Sequence, residues 1–512
     1  MTRKIFSKKI YLIGLALLAA ALPFSMFLMS VSQFILAAGW LLSGNYGEKF
    51  IRFWNNKPAL LLSSFYVLHL TGIAFTSDLP SGLADLRVKL PLLILPFILS
   101  GMPAVSGKNF SFLLLAFVAS VLVNTIAVSI NHEWLFISPI RFSMMVCFSF
   151  FILMYLIIEK VFNRWVRLTA VISASWLAIF IFNWQYETGI VTFAGALFFS
   201  LYYFAARMKK SWLKFSLIAM MIVLPVVSFL FVYSTMKKFF GDTAVQPLPS
   251  SEVTENGERY RHYPERRDIE NGNYTWRYIA WEELNEAWSR RSGLALNGND
   301  KNGNPLSATL IRFLTSKGYR KDASGVNRLT DGEVRAVENS IANVRYMDGK
   351  NLEDRLYETI WSIYNYRIGN NPQGNSVMQR FEFWRAGWNA FLEKIAIGHG
   401  TGSVKASLEK QYEIIKTPLD VKHRLKTHNQ YLSTAVALGA TGVVWLLAAL
   451  LVPLFYERGY ANYLFVTFLI IVMLAMLVED TLETQAGATF IAFFYSLLSS
   501  GKIIHEDSSN LQ

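Results

Sequence analysis

The sequence predicts an all-α polytopic membrane protein, with about twelve transmembrane helices and one large, mostly helical loop on the outer side. Three observations carry this reading. Of 512 residues, 53% are hydrophobic and 15% aromatic, and mean hydropathy is +0.31, too apolar for an ordinary soluble protein. The apolar residues form blocks before Ser234 and after Tyr431, with a largely polar stretch between them. Cationic residues recur in alternate turns between the blocks, as expected where they mark the cytoplasmic side.

A spanning helix needs about 20 mainly apolar residues. The blocks predict spans near 10–22, 24–42, 59–76, 90–100, 110–130, 140–158, 168–181, 189–205, 212–233, 431–455, 460–477 and 486–498. The first and fourth are short. The basic start, Arg3, Lys4, Lys8 and Lys9, followed by small apolar residues, resembles a signal peptide. A second apolar block follows directly after Pro23, so we read an uncleaved hairpin. Lys49, Arg52 and Lys57, then Lys108, then Lys160, Arg164 and Arg167, then Arg207, Lys209, Lys210 and Lys214, then Arg458 all fall on the same side as the N-terminus. The organisation is therefore 1–235 with nine spans, 236–427 as the outer lobe, 428–500 with three spans, and 501–512 as a cytoplasmic tail.

The lobe reads as helical with looped insertions. Trp276, Tyr278, Trp281 and Trp288 recur at near-helical spacing, and Thr330 to Glu333 is a capping box opening a helix to about Val344. Gly- and Asn-rich loops lie at 297–305 and 370–375.

The net charge of +13 would suggest nucleic acid in a soluble protein. Here it reports topology and contact with anionic lipid, and no nucleic-acid partner is expected. The one cysteine, Cys147, lies inside an apolar block, so an internal disulfide is excluded, and no zinc spacing is present. No metal or cofactor is expected.

Four groups of residues suit chemistry. The first is 379–391, an amphipathic stretch with Phe381, Trp384, Trp388 and Phe391 on one face and Arg380 and Arg385 on its flanks. It ends in Gly398-His399-Gly400-Thr401-Gly402. An arginine at a membrane surface suits a diphosphate, although snorkelling also explains one there. The second is His428, at the junction where the lobe re-enters the helices; His399 and His423 are rivals with less context. A neutral imidazole there can take a proton, or simply hydrogen-bond at the interface. Gly439 and Gly442, just beyond, let another helix or a lipid tail come close. The third is the acidic turn Glu479, Asp480 and Glu483. The fourth is basic and on the outer side: Arg87, Lys89 and Arg141, whose charge runs against the positive-inside bias.

Taken in order, these residues resemble the O-antigen ligase and polymerase superfamily of bacterial envelope glycan transferases. The resemblance rests on Arg380 with Phe383-Trp384, the 397–402 glycine element, His428-Asn429-Gln430-Tyr431-Leu432 with Gly439 and Gly442, and Glu479-Asp480 before a final apolar helix. It runs over about 379–500. It implies a metal-independent, membrane-embedded glycosyltransferase in the bacterial inner membrane. The lobe would be periplasmic and both termini cytoplasmic. The donor would be a glycan on undecaprenyl diphosphate; the acceptor would be lipid A–core, another lipid-linked repeat unit, or a protein Ser or Thr. On this reading His428 is the catalytic residue, as general base or by positioning the acceptor hydroxyl. Arg380, Arg141 and Lys89 bind the diphosphate. Asp480, Asn429 and Arg385 support them, and the polyprenyl tail lies near Gly439 and Gly442. A single dominant outer loop favours the ligase branch. Two departures stand out: Tyr186-Glu187-Thr188-Gly189 replaces an expected Ser-Arg-Gly-like element, and the lobe is unusually long. A transporter of lipid-linked glycan is the rival class, but no matching halves are visible.

Overall fold

A computed structural model describes residues 2–159, 163–184, 187–241, 252–349, 351–372 and 375–500. Lys160, Tyr186 and the 501–512 tail fall outside the described residues, as do two residues of the 370–375 loop. The chain divides into two compact units, residues 1–221 with 380–512, and residues 222–379.

The first unit is built of helices joined by loops, with no strand among its described residues. Its N-terminal part holds α1 (Thr2–Ala21), α2 (Met26–Leu42), α3 (Tyr46–Asn55), α4 (Lys57–Gly72), α5 (Leu79–Lys89) and α6 (Pro91–Gly101). There follow α7 (Gly107–Ile130), α8 (Pro139–Ile158), α9 (Arg164–Trp184), α10 (Glu187–Arg207) and the start of α11 (Ser211–Phe240). Seven helices among the described residues are long and apolar enough to cross a membrane, or eight if the bent pair α2 and α3 is one span. This is a multi-pass membrane protein. The expected span at 90–100 is the 11-residue α6, which rises only about 16 Å and so cannot cross alone. The α2–α3 bend of 118° turns α3 into a strongly amphipathic segment. Phenylalanines cement the core: Phe117, Phe148, Phe468, Phe490 and Phe494 are all fully buried and stack edge to face.

The second unit has a core of Leu284, Trp288, Leu310, Phe313, Leu314 and Val337. Its helices are α12 (Trp281–Arg291), α13 (Leu306–Ser316), α14 (Ala323–Asn327), α15 (Asp331–Glu338) and α16 (Leu352–Arg367), beside a two-residue strand pair, Ile269–Glu270 with Asn273–Tyr274. The capping box at Thr330 forms, with Glu333 returning to the Thr330 amide, but α15 ends at Glu338 rather than near Val344. The four lobe aromatics do not share a helix: Trp276 and Tyr278 precede α12. A second capping box, Asn351 with Asp354, opens α16.

The chain returns to the first unit along α17 (Ser376–Glu393), followed by α18 (Val404–Ile414), α19 (Gln430–Phe455), α20 (Tyr463–Ala475) and α21 (Gln485–Ser500). Residues 380–427 thus pack with the membrane helices. The buried face of α17 is Glu382, Phe383, Ala386 and Ala390, while the expected apolar face leaves Phe381 and Trp388 exposed.

Candidate active site

The site is assembled on α19. Asn429 caps this helix by accepting from the Leu432 amide at 3.0 Å. His428, just before the cap, is left-handed at φ 47°, a conformation uncommon outside glycine though more frequent for histidine than for most residues. Asp480 holds it there. One carboxylate oxygen accepts from the His428 amide at 3.0 Å. The other accepts from the Asn429 amide at 3.1 Å and from the Ser433 and Thr427 hydroxyls at 2.8 and 3.2 Å. Asp480 therefore fixes the backbone of the His428 turn rather than its ring.

Glu479 meets the ring. Its carboxylate lies 3.4 Å from His428 Nδ1, and the other oxygen accepts from Arg141 Nη2 at 2.5 Å. The imidazole also lies 5.7 Å from the Phe383 ring of α17. Burial raises the Glu479 pKa, but the His428 hydrogen bond and the Arg141, His428 and Arg380 charges outweigh it and hold the carboxyl below its usual range. Glu479 is thus an ionised anchor, leaving Nε2 of His428 for an incoming group. Asp480 goes the other way: burial, then the neighbouring Glu483, push its carboxyl up.

The predicted cations divide. Arg380 and Arg141 both act on Glu479 beside His428. Arg141 keeps its Nε buried without a hydrogen-bond partner among the described residues. Lys89 is different. Its ammonium is fully buried and bound by Asp85 and by Glu483, the latter at 2.7 Å. Both of these charge partners are internal to the protein. Sequence reasoning could not see this, because Glu483 is 394 residues away. Glu483 also draws Lys426 to 3.6 Å, and Lys426 is half exposed two residues before His428. That proximity in sequence was the available signal for a cation that we had not assigned. Arg385 is exposed on α17, with no ion pair among the described residues. His399 Nε2 lies 2.8 Å from the Ala390 carbonyl, so this rival is engaged by backbone.

The glycine element has a structural use. Gly439 breaks α19 at φ 68°, and its vacant Cβ position lies 2.4 Å from the Ala396 carbonyl carbon. The freed backbone groups are met by the 395–402 loop: His399 N donates to Val436 O, Gly400 N to Ala437 O, and Ala440 N to Ile395 O. Thr401 N donates to Gly72 O, and its hydroxyl to His69 O. Irregular backbone at membrane depth persists because protein pairs it. The glycines therefore admit this loop. The space directly beside Gly439 is taken by the Ala396 backbone.

A sequence model of the O-antigen ligase family matches residues 348–447. The chain carries an O-antigen ligase domain. No curated protein matches the chain. The O-antigen ligase match takes in α16, α17, the glycine loop, α18, His428 and the α19 break. Arg141, Glu479, Asp480 and Glu483 lie outside it, yet Asp480, and Glu479 held by Arg141, provide the partners that set the position of His428. The O-antigen ligase family points to a glycosyltransferase-like enzyme acting on glycan or lipid-linked substrates.

Proposed function

We propose that this protein transfers a glycan from undecaprenyl diphosphate to a hydroxyl of lipid A–core on the periplasmic face of the inner membrane, without a metal. The observation that carries the reading is the chain of contacts from Arg141 through Glu479 to His428. His428 Nε2 takes the proton of the acceptor hydroxyl, whose oxygen forms a bond to the anomeric carbon. The bond from that carbon to the phosphate oxygen breaks, and the diphosphate leaves with the electron pair. Glu479 supports the imidazolium as it forms. Arg380 and Arg141, with Lys426 nearby, carry the charge developing on the diphosphate; arginine suits this because it stays charged and binds phosphate oxygens in pairs. On this reading the basic turns mark the cytoplasmic side and His428 and the acidic turn face the periplasm.

The acceptor is tested in a deletion strain, by resolving carrier-linked and acceptor-linked glycan on a gel. Ligation predicts full-length chains accumulating on the carrier, with bare lipid A–core. Single repeats on the core would instead assign polymerisation, and normal glycan with underglycosylated protein would assign the protein-directed branch. Unchanged glycan of every kind would sink the transferase reading.

A further inference from the structure

A cavity of the helical unit lies far from His428. It has a volume of about 960 Å³ and lies where α4 begins and where α8, α10, α19 and α21 end. His428 sits just before the first residue of α19, and this cavity touches Pro453 and Tyr456 at its last turn. The two sites are therefore at opposite ends of α19, with the Gly439 break between them.

The lining has two chemistries. Leu99, Phe110, Phe465 and Leu498 give it apolar walls. Arg52, Arg207 and Arg458 set three guanidiniums against the single carboxylate of Glu159 on the same lining. Arg207 lies flat on Tyr203, 4.1 Å from the ring centre, and Tyr203 packs on Tyr463 at 5.0 Å. That contact and a hydrogen bond to Tyr203 orient the Arg207 guanidinium, which has further N–H groups to donate. All three arginines are exposed, and among the described residues neither Arg207 nor Arg458 has an ion-pair partner. Arg52 reaches only Glu48, at 3.8 Å.

An excess of arginines at the ends of membrane helices, above apolar walls, suits a phosphate ester that carries acyl chains. Arginine pairs two phosphate oxygens, and basic pockets between membrane helices capture anionic headgroups in this way. We propose that this cavity binds the phosphate headgroup of an anionic phospholipid, with its acyl chains along the apolar wall. The site is separate from the transfer centre, so it stands whether or not the transferase reading does.

The test uses the full-length protein, purified in detergent and stripped of lipid. Phosphatidylglycerol, phosphatidylethanolamine and inorganic phosphate are titrated separately, and adducts are counted by native mass spectrometry. The proposal predicts a one-to-one phosphatidylglycerol adduct at least fivefold tighter than that of phosphatidylethanolamine. It further predicts a loss of tenfold or more in the Arg207→Gln, Arg458→Gln double variant. Equal binding of the two lipids overturns the proposal, as does an unchanged affinity in a folded double variant. Saturation by inorganic phosphate without lipid preference overturns the lipid assignment in favour of a free-phosphate site. Should the double variant fail to fold, the wild-type lipid comparison and the exposed single variant Arg52→Gln decide the matter.

Discussion

Two neighbouring carboxylates, Glu479 and Asp480, divide the work of holding one histidine. Asp480 accepts four hydrogen bonds from the turn that carries His428, and Glu479 alone touches the ring. A third carboxyl, Asp85, shares Lys89 with Glu483 and is pushed up to about 7, first by burial and then by the Glu483 charge. Folded Asp85 thus keeps a proton, between its ordinary 3.8 and about 7, that the unfolded chain releases. The folded pKa exceeds the unfolded one, so stability from this group falls as pH rises through that window. Asp85→Asn removes the slope. Melting curves in detergent at pH 5 and pH 8 should show the wild type losing about 2 °C or more relative to the variant. Parallel shifts in the two proteins would show that Asp85 does not hold that proton. At this scale the sequence was partly legible. His428, Arg380, Arg141 and the acidic turn were visible as types at expected places. The division between adjacent acids was not, because it depends on which way a turn aims two side chains one residue apart. The pairing of Lys89 with Glu483 depends on a contact between α5 and the turn before α21.

At the scale of elements, the break in α19 and the glycine loop form one interlocked unit. Gly439 needs both its positive φ and an empty Cβ position. Gly439→Ala adds a methyl against the Ala396 carbonyl and forces alanine into a left-handed conformation, so it should cost at least about 2 kcal/mol. Accumulation and melting of the purified variant check this, with Gly47→Ala as control, since nothing lies within 4 Å of that position. Equal melting of the two variants would remove the interlock from the account. The glycines were legible as sites of close approach. What approaches was not, because a loop crossing a helix break leaves no hydrophobic period in the sequence. Span positions were read well where helices are long and apolar. The short α6 was misjudged because composition reports apolarity and not whether a helix stops after three turns.

For the whole molecule, the prediction concerns which side of the membrane each end faces. The chain suits a direct test, because its one cysteine, Cys147, is fully buried. Ser289→Cys on α12 and Lys209→Cys after α10 are both at exposed positions. With a membrane-impermeant maleimide on intact cells, Cys at 289 should label and Cys at 209 should label only after permeabilisation. The reverse pattern would invert the topology and move His428 away from a periplasmic donor.

The most direct test of the central claim is the initial rate of glycan transfer by purified protein with a defined undecaprenyl-diphosphate donor. His428→Ala should lower the rate by about 10²–10⁴-fold, the usual contribution of a general base, in protein that elutes and melts like the wild type. Arg380→Ala should weaken donor use in the same assay. Near wild-type rates for both folded variants would contradict a base at His428 and cations on the diphosphate.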